Sequence, residues 1–122
     1  MGRRVLLIED EPNIIEAIRF ILSRDGWIVD THADGATALA AIEDRQPDLV
    51  ILDVMLPNRS GYDITRDIRA DARFVGLPVL MLTARGQEKD REIAASLGVS
   101  HFMTKPFSNT EVLAQVRALV GE

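Results

Sequence analysis

Two runs constrain this chain more than any other feature of its sequence: Leu49-Val50-Ile51-Leu52 and Val79-Leu80-Met81-Leu82. Every position in them is apolar, and each run ends on a polar side chain, Asp53 in one case and Thr83 in the other. Runs this short do not make helices, and their Val and Ile content favours strands. A strand that is apolar on both faces must be covered on both, which is the condition of a central strand in a parallel sheet. Short apolar runs at residues 5–8 and 27–29, and a weaker one at 101–103, read as further strands.

Between these strands lie segments with helical spacing. Ile14, Ala17, Ile18 and Ile21 share one face of a segment that opens at Pro12, a residue suited to a first helical turn. Ala38, Leu39 and Ile42 mark a second helix after Asp34, Ile64 and Ile68 a third, and Ile93, Ala94 and Leu97 a fourth that stops at Gly98. Val112, Val116 and Leu119 mark a fifth. It is entered through Ser108-Asn109-Thr110-Glu111, a capping box in which serine oxygen and glutamate carboxylate take up free amide donors. βα units in unbroken succession predict an α/β fold, a single domain over residues 1–122 with a doubly wound parallel sheet. Right-handed crossovers then bring every strand's C-terminal end to one rim, where such sheets bind their ligands.

Composition narrows the function classes. The 122 residues are enough for a core without metal or disulfide, and the lack of cysteine excludes thiolate chemistry and fits a reducing compartment. A net charge of -5 argues against a nucleic-acid-binding surface. Glu9, Asp10 and Glu11 cut the first apolar run too short for a signal peptide or a membrane span, so a soluble cytoplasmic protein is expected.

The rim carries the chemistry. Glu9 and Asp10 follow the first strand, Asp53 the third, Thr83 and Ala84 the fourth, and Lys105 and Pro106 the fifth, while the second ends near His32. Each alone has an ordinary explanation: acids at a helix start are favoured by the helix dipole, and loop Asp or Thr takes backbone amides. His32 and His101 read as surface residues. The combination asks for more. Three carboxylates in a partly desolvated pocket repel one another, and Lys105 offsets only one. A divalent cation relieves the excess, and carboxylate oxygens with few protein ligands suit Mg2+. A hard cation beside a carboxylate, a hydroxyl and an amine is a phosphoryl-handling set. Asp53 can attack phosphorus, the metal and Lys105 can neutralise the oxygens, Thr83 can donate to one of them, and the small Ala84 leaves room.

In these residues the chain resembles the receiver domain of bacterial two-component response regulators. The motifs are "VLLIEDEP", "PDLVILDVMLPNRSGYD", "PVLMLTA" and "FMTKPF", in that order, and the likeness runs from Val5 to about Val120. The resemblance implies a five-stranded flavodoxin-like (βα)5 sheet of strand order 2-1-3-4-5. It implies that Asp53 accepts a phosphoryl group from a histidine kinase or a histidine phosphotransfer protein. Asp10, Asp53 and the backbone carbonyl of Met55 would bind Mg2+, with Glu9 helping through water. Thr83 and Lys105 would contact the phosphoryl group, and Phe102 would be the switch aromatic. The Lys105–Pro106 bond would be cis, and Pro57 and Gly61 match the loop after the acceptor. Such a domain is a switch rather than an enzyme, assisting its own phosphorylation and dephosphorylation. Phosphorylation would move Thr83, turn Phe102 inward and alter the surface of the fourth helix, fifth strand and fifth helix. That surface would serve a downstream effector or fused output domain, or a phosphorylation-dependent dimer.

Departures from the family pattern refine this. Val99-Ser100-His101 lacks the acids that, in the winged-helix transcription regulators, pair with Arg on the last helix, so Arg117 has no such partner there. That argues against a dimer of that subfamily's type. Met55 and Arg85 lie two residues past Asp53 and Thr83, where bulky side chains imply a longer-lived acyl phosphate. Phe102 lacks the hydroxyl of a switch tyrosine.

Rival readings meet specific objections. An aspartyl-nucleophile phosphatase needs a second Asp two residues after the first, and Met55 stands there. A flavin carrier would hold its phosphate on the first loop, where Glu9-Asp10-Glu11 repels it. A degenerate receiver used only for docking sits poorly with an intact Asp53, Thr83 and Lys105.

Overall fold

The computed structural model describes residues 3–84 and 88–121. The order is β1 (Arg4–Ile8), α1 (Pro12–Arg24), β2 (Ile28–His32), α2 (Ala38–Arg45), β3 (Leu49–Asp53), α3 (Gly61–Ala70), β4 (Val79–Thr83), α4 (Glu88–Ser96), β5 (His101–Thr104) and α5 (Asn109–Leu119). All four strand pairings are parallel, in the order β2-β1-β3-β4-β5. The two runs that were apolar throughout are the central β3 and β4, buried along their full length.

The sheet divides the core in two, and the two-residue period of each strand decides which side a residue serves. Val5, Leu7, Leu49, Ile51, Leu80, Leu82 and Met103 face α1 and α5, meeting Ile18, Leu22, Val112 and Val116. Leu6, Ile8, Val50, Leu52, Val79 and Met81 face α2, α3 and α4, meeting Ile42, Ile64, Ile68 and Ala94. Each aliphatic side chain buried in this way is stabilised by about 1.5–3 kcal/mol of transfer free energy.

Three expectations change in detail. The second strand runs over Ile28–His32 rather than residues 27–29, with Trp27 buried just ahead of it. Its Asp, Thr and His fit because β2 is an edge, bonded to β1 alone and half-exposed. The buried stripe of α1 is Ile18 and Leu22 flanked by Ile14, Ile15 and Ile21, whereas Ala17 faces solvent. In α4 only Ala94 is buried, and Ile93 is 36% exposed, so this helix is the least firmly seated.

Local chemistry fixes the element ends. Ser108 caps α5 by accepting the Glu111 amide at 3.0 Å, and Ser60 caps α3 by accepting the Asp63 amide at 3.2 Å. Gly98 ends α4 at φ +90°, conformational space open to glycine. Arg69, near the end of α3, gathers the loops on the opposite rim from Asp53. Its guanidinium donates to the carbonyls of Leu77 (2.6 Å), Gly98 (2.8 Å), Val75 (3.2 Å) and Phe74 (3.3 Å), and to Ser100 Oγ (3.3 Å). No carboxylate joins these contacts among the described residues, and burial lowers the Arg69 pKa from its ordinary value. Arg117 finds its acid on α1 rather than near β5, pairing with Asp25 at that helix's C-terminal end. Among the described residues no helix is long and apolar enough to cross a membrane.

Candidate functional site

Glu9, Asp53 and Lys105 come from three different loops and strand ends, yet the strand period places them on one side of the sheet. Glu9 continues the phase of Val5 and Leu7, Asp53 that of Leu49 and Ile51, and Lys105 that of Met103, all toward α1 and α5. Lys105 Nζ lies 3.0 Å from Glu9 Oε1, 3.0 Å from Glu11 Oε1 and 3.5 Å from Asp53 Oδ1. Glu9 and Asp53 are buried, and the Lys105 side chain is only 11% exposed. The lysine is held in place through its backbone, whose amide donates to the Thr83 carbonyl at 2.7 Å. The Lys105–Pro106 peptide is cis.

Glu9 divides its two oxygens. Oε2 accepts the backbone amides of Asp10 (3.1 Å) and Glu11 (3.3 Å). Oε1 is buried with no hydrogen bond, meeting Lys105 as an ion pair without hydrogen-bond geometry. Burial pushes the Glu9 carboxyl up to about 7, and Asp53 adds to that push while Lys105 opposes it. At Lys105 burial alone would lower the ammonium, but the carboxylates of Glu11, Glu9 and Asp53 outweigh it and the pKa is raised.

The donor set fits a hard cation. Carboxylate oxygens of Glu9, Asp10 and Asp53 lie within 4.8 Å of one another, Asp10 at the exposed mouth and the other two buried. Glu9 Oε1, buried and without a hydrogen bond, is one oxygen of this set that a cation could take, and all-oxygen donors suit Mg2+. Met55 follows in the loop after β3, with its side chain 69% exposed.

Gly61 seats that loop. Its amide donates to the Val54 carbonyl at 2.9 Å, and a Cβ on it would lie 2.4 Å from the Asp53 carbonyl oxygen. A second clasp comes from the turn before α2. Gly35 donates to the Pro57 carbonyl at 3.0 Å, and a Cβ there would stand 2.1 Å from the Arg59 carbonyl oxygen. Asp34 accepts from Asn58 Nδ2 at 3.0 Å.

Comparison with known proteins identifies the family. Residues 5–117 match the model of the response regulator receiver domain. The chain belongs to that family. It is 42% identical over 116 residues to the probable transcriptional regulatory protein TcrX of Mycobacterium tuberculosis, covering 95% of this chain and 49% of TcrX. It is 39% identical over 120 residues to the alkaline phosphatase synthesis transcriptional regulatory protein PhoP of Bacillus subtilis, covering 98% and 49%. The chain thus spans about half the length of the curated relatives it matches. Among solved structures, the receiver domain of the sensor histidine kinase PA1611 of Pseudomonas aeruginosa superposes with a TM-score of 0.90 at 32% identity over 100% of both chains. That structure has a magnesium ion coordinated in its active-site cleft. The chemotaxis response regulator CheY4 of Vibrio cholerae superposes with a TM-score of 0.91 at 26% identity, over 98% of this chain and 99% of its own.

In this receiver the other expected residues lie across the sheet. Thr83, in phase with Val79 and Met81, and Phe102 belong to the side of α2, α3 and α4. Thr83 is buried. Phe102 is half-buried, with the Arg91 guanidinium 5.2 Å from its ring centre, and it borders a groove of about 210 Å³ against Ala94, Ala95 and Val99. Arg85 lies outside the described residues. His32 ends β2; its ring meets Thr37 Oγ1 at 2.7 Å, and its backbone carbonyl accepts the Glu9 amide at 3.0 Å. The sequence pattern missed Glu11, which read as an acid favoured by the helix dipole. Its signal was a third acid in a row beside a rim that holds one lysine.

Proposed function

We propose that this receiver accepts a phosphoryl group on Asp53 from the phosphohistidine of a histidine kinase or phosphotransfer protein, in a Mg2+-dependent reaction. The observation that carries the reading is a buried carboxylate with an ammonium 3.5 Å away and two further acids at hand. Glu9, Asp10, Asp53 and the Met55 carbonyl would hold the ion, which supplies charge neutralisation to the phosphoryl oxygens. An Asp53 oxygen forms the bond to phosphorus as the bond to the donor's imidazole nitrogen breaks. The electron pair stays on that nitrogen, which takes a proton from water. Lys105 offsets the charge on the transferred oxygens, and β3, buried on both faces, fixes the direction of attack. Water later attacks phosphorus, releasing inorganic phosphate and restoring the carboxylate, so the domain assists its own chemistry without a separate substrate.

The new group brings about −1.5 to −2 charges and strong acceptor oxygens. Thr83 moves to donate to one of them, vacating space on the opposite side of the sheet into which Phe102 turns. The loosely seated α4 then shifts with β5 and α5, changing the surface offered to an effector or output domain. The test is intact-mass measurement after incubation with Mg2+ and a small acyl phosphate. A phosphoryl adduct is expected on the wild type and not on Asp53→Asn. No adduct on the wild type, or the same adduct on the variant, overturns the proposal. Thr83→Ala should still gain the adduct while the amide signals of Phe102 and α4 barely move; a full shift in that variant refutes the coupling.

A further inference from the structure

Lys105 has three N–H bonds and three carboxylates around it, and the one that receives a well-formed hydrogen bond is neither the acceptor nor the buried Glu9. It is Glu11, at 3.0 Å, while Asp53 is the most distant of the three at 3.5 Å. Glu11 occupies the N-cap position of α1, where an acidic side chain ordinarily takes up a free amide of the first turn, yet it makes no capping bond. Its backbone carbonyl accepts the Ile15 amide at 3.0 Å, so the residue is fixed in the helix while its carboxylate reaches over the mouth of the site. The Glu11 side chain is 58% exposed against 11% for Lys105. The contact is therefore one the lysine can be released from, by rotation of Glu11 into water.

We infer that Glu11 is a positioning residue for phosphoryl acceptance: it draws Lys105 toward the mouth of the site, and the ammonium must leave it to serve the phosphoryl group on Asp53. This rests on the proposed function above and deepens it. The incoming group competes with Glu11 for one ammonium. Removing the Glu11 charge while keeping its shape frees the lysine for Asp53 and takes one negative charge from the path of an anionic donor. An ion pair with one exposed partner is modest in strength, so acceptance should become about two- to five-fold faster, not orders of magnitude.

The test compares wild type, Glu11→Gln and Glu11→Asp. Each is assayed for the rate of phosphoryl gain from a small acyl phosphate with Mg2+, and for the dissociation constant of beryllium trifluoride by 19F NMR. Glu11→Gln should be about two- to five-fold faster and bind the fluoride complex tighter by a similar factor. Glu11→Asp, which restores the carboxylate, should return toward wild type. A simple field effect at the mouth is screened by salt at about 1 M, where the Debye length is about 3 Å. Release of a nearly buried ammonium is screened much less, so the tighter fluoride binding should persist there. Equal urea midpoints confirm that the variants are folded. If the wild type gains no phosphoryl group, the proposed function fails. If it does and Glu11→Gln matches it or is slower, the inference about Glu11 fails. An advantage that vanishes at high salt also overturns it.

Discussion

Replacing Arg69 with Met tests whether one cation without an acid can hold the far rim of the sheet together. The guanidinium has two short hydrogen bonds, to Leu77 at 2.6 Å and Gly98 at 2.8 Å, and three longer ones. Charge-assisted bonds of the short kind are worth about 1.5 kcal/mol each at the low end of the usual range, suited to a half-buried group whose carbonyl partners water can partly recover. The longer contacts add little. Methionine keeps most of the packing of the stem and none of the donors. The expected loss is about 2–3 kcal/mol, a sizeable share of the roughly 5–15 kcal/mol that stabilises a domain. Urea unfolding followed by the fluorescence of the buried Trp27 measures it, and the midpoint should fall with an unchanged slope. Arg69→Lys separates charge from shape. An ammonium cannot reach carbonyls on separate loops at once, so this variant should lose nearly as much. Because no carboxylate among the described residues takes part, the loss should also be nearly independent of salt. A Met variant within about 0.5 kcal/mol of the wild type, or a Lys variant as stable as the parent, refutes the reasoning.

Other expectations follow from the site. In chelated, metal-free protein the raised Glu9 pKa means that folding favours its protonated form. The stability it supports is present below the unfolded value of 4.5 and is lost as pH climbs to about 7, by up to about 3 kcal/mol. Urea midpoints should fall across that window in the wild type and stay level in Glu9→Gln; a rising midpoint contradicts the assignment. Asp25, Asp34 and Asp71 are held below their ordinary range by Arg117, Asn58 and Arg73, so their contribution disappears only as pH falls below about 3.8. Gly61→Ala forces a methyl against the Asp53 carbonyl and should weaken Mg2+ affinity and slow phosphoryl gain by about ten-fold or more while secondary structure survives. Unchanged magnesium titration in that variant refutes the role given to the glycine.

The central strands were legible because hydrophobicity at every position has few structural meanings, and β3 and β4 lie where the two greasy runs stand. The rim residues were legible because a strand's end is a fixed place in a parallel sheet, so Glu9, Asp10, Asp53, Thr83 and Lys105 could be gathered from spacing before any coordinates. Strand order was not legible from periodicity, which says what faces a core but not which neighbour bonds; it came through the family resemblance. β2 was shortened because an edge strand tolerates Asp30, Thr31 and His32, and polar residues look like the end of a strand. The contacts of Glu11, Arg69 and Arg117 were invisible for a further reason. The pairs Glu11–Lys105, Arg69–Gly98 and Arg117–Asp25 join residues at least 29 positions apart, and no local pattern tells a long charged side chain which distant partner it will meet.

The two-residue period of β4 makes the count of residues between its core and its hydroxyl a quantity under constraint. Insert one residue directly after Val79, and Leu80, Met81, Leu82 and Thr83 all change sides, so the core is inverted along the strand and the hydroxyl leaves the face that it shares with Phe102. Insert two and the orientation returns, but the hydroxyl overshoots Asp53 by two strand steps, about 7 Å. Lineages that alter this protein by gain or loss of single codons should therefore leave the strands untouched and confine such events to the turns.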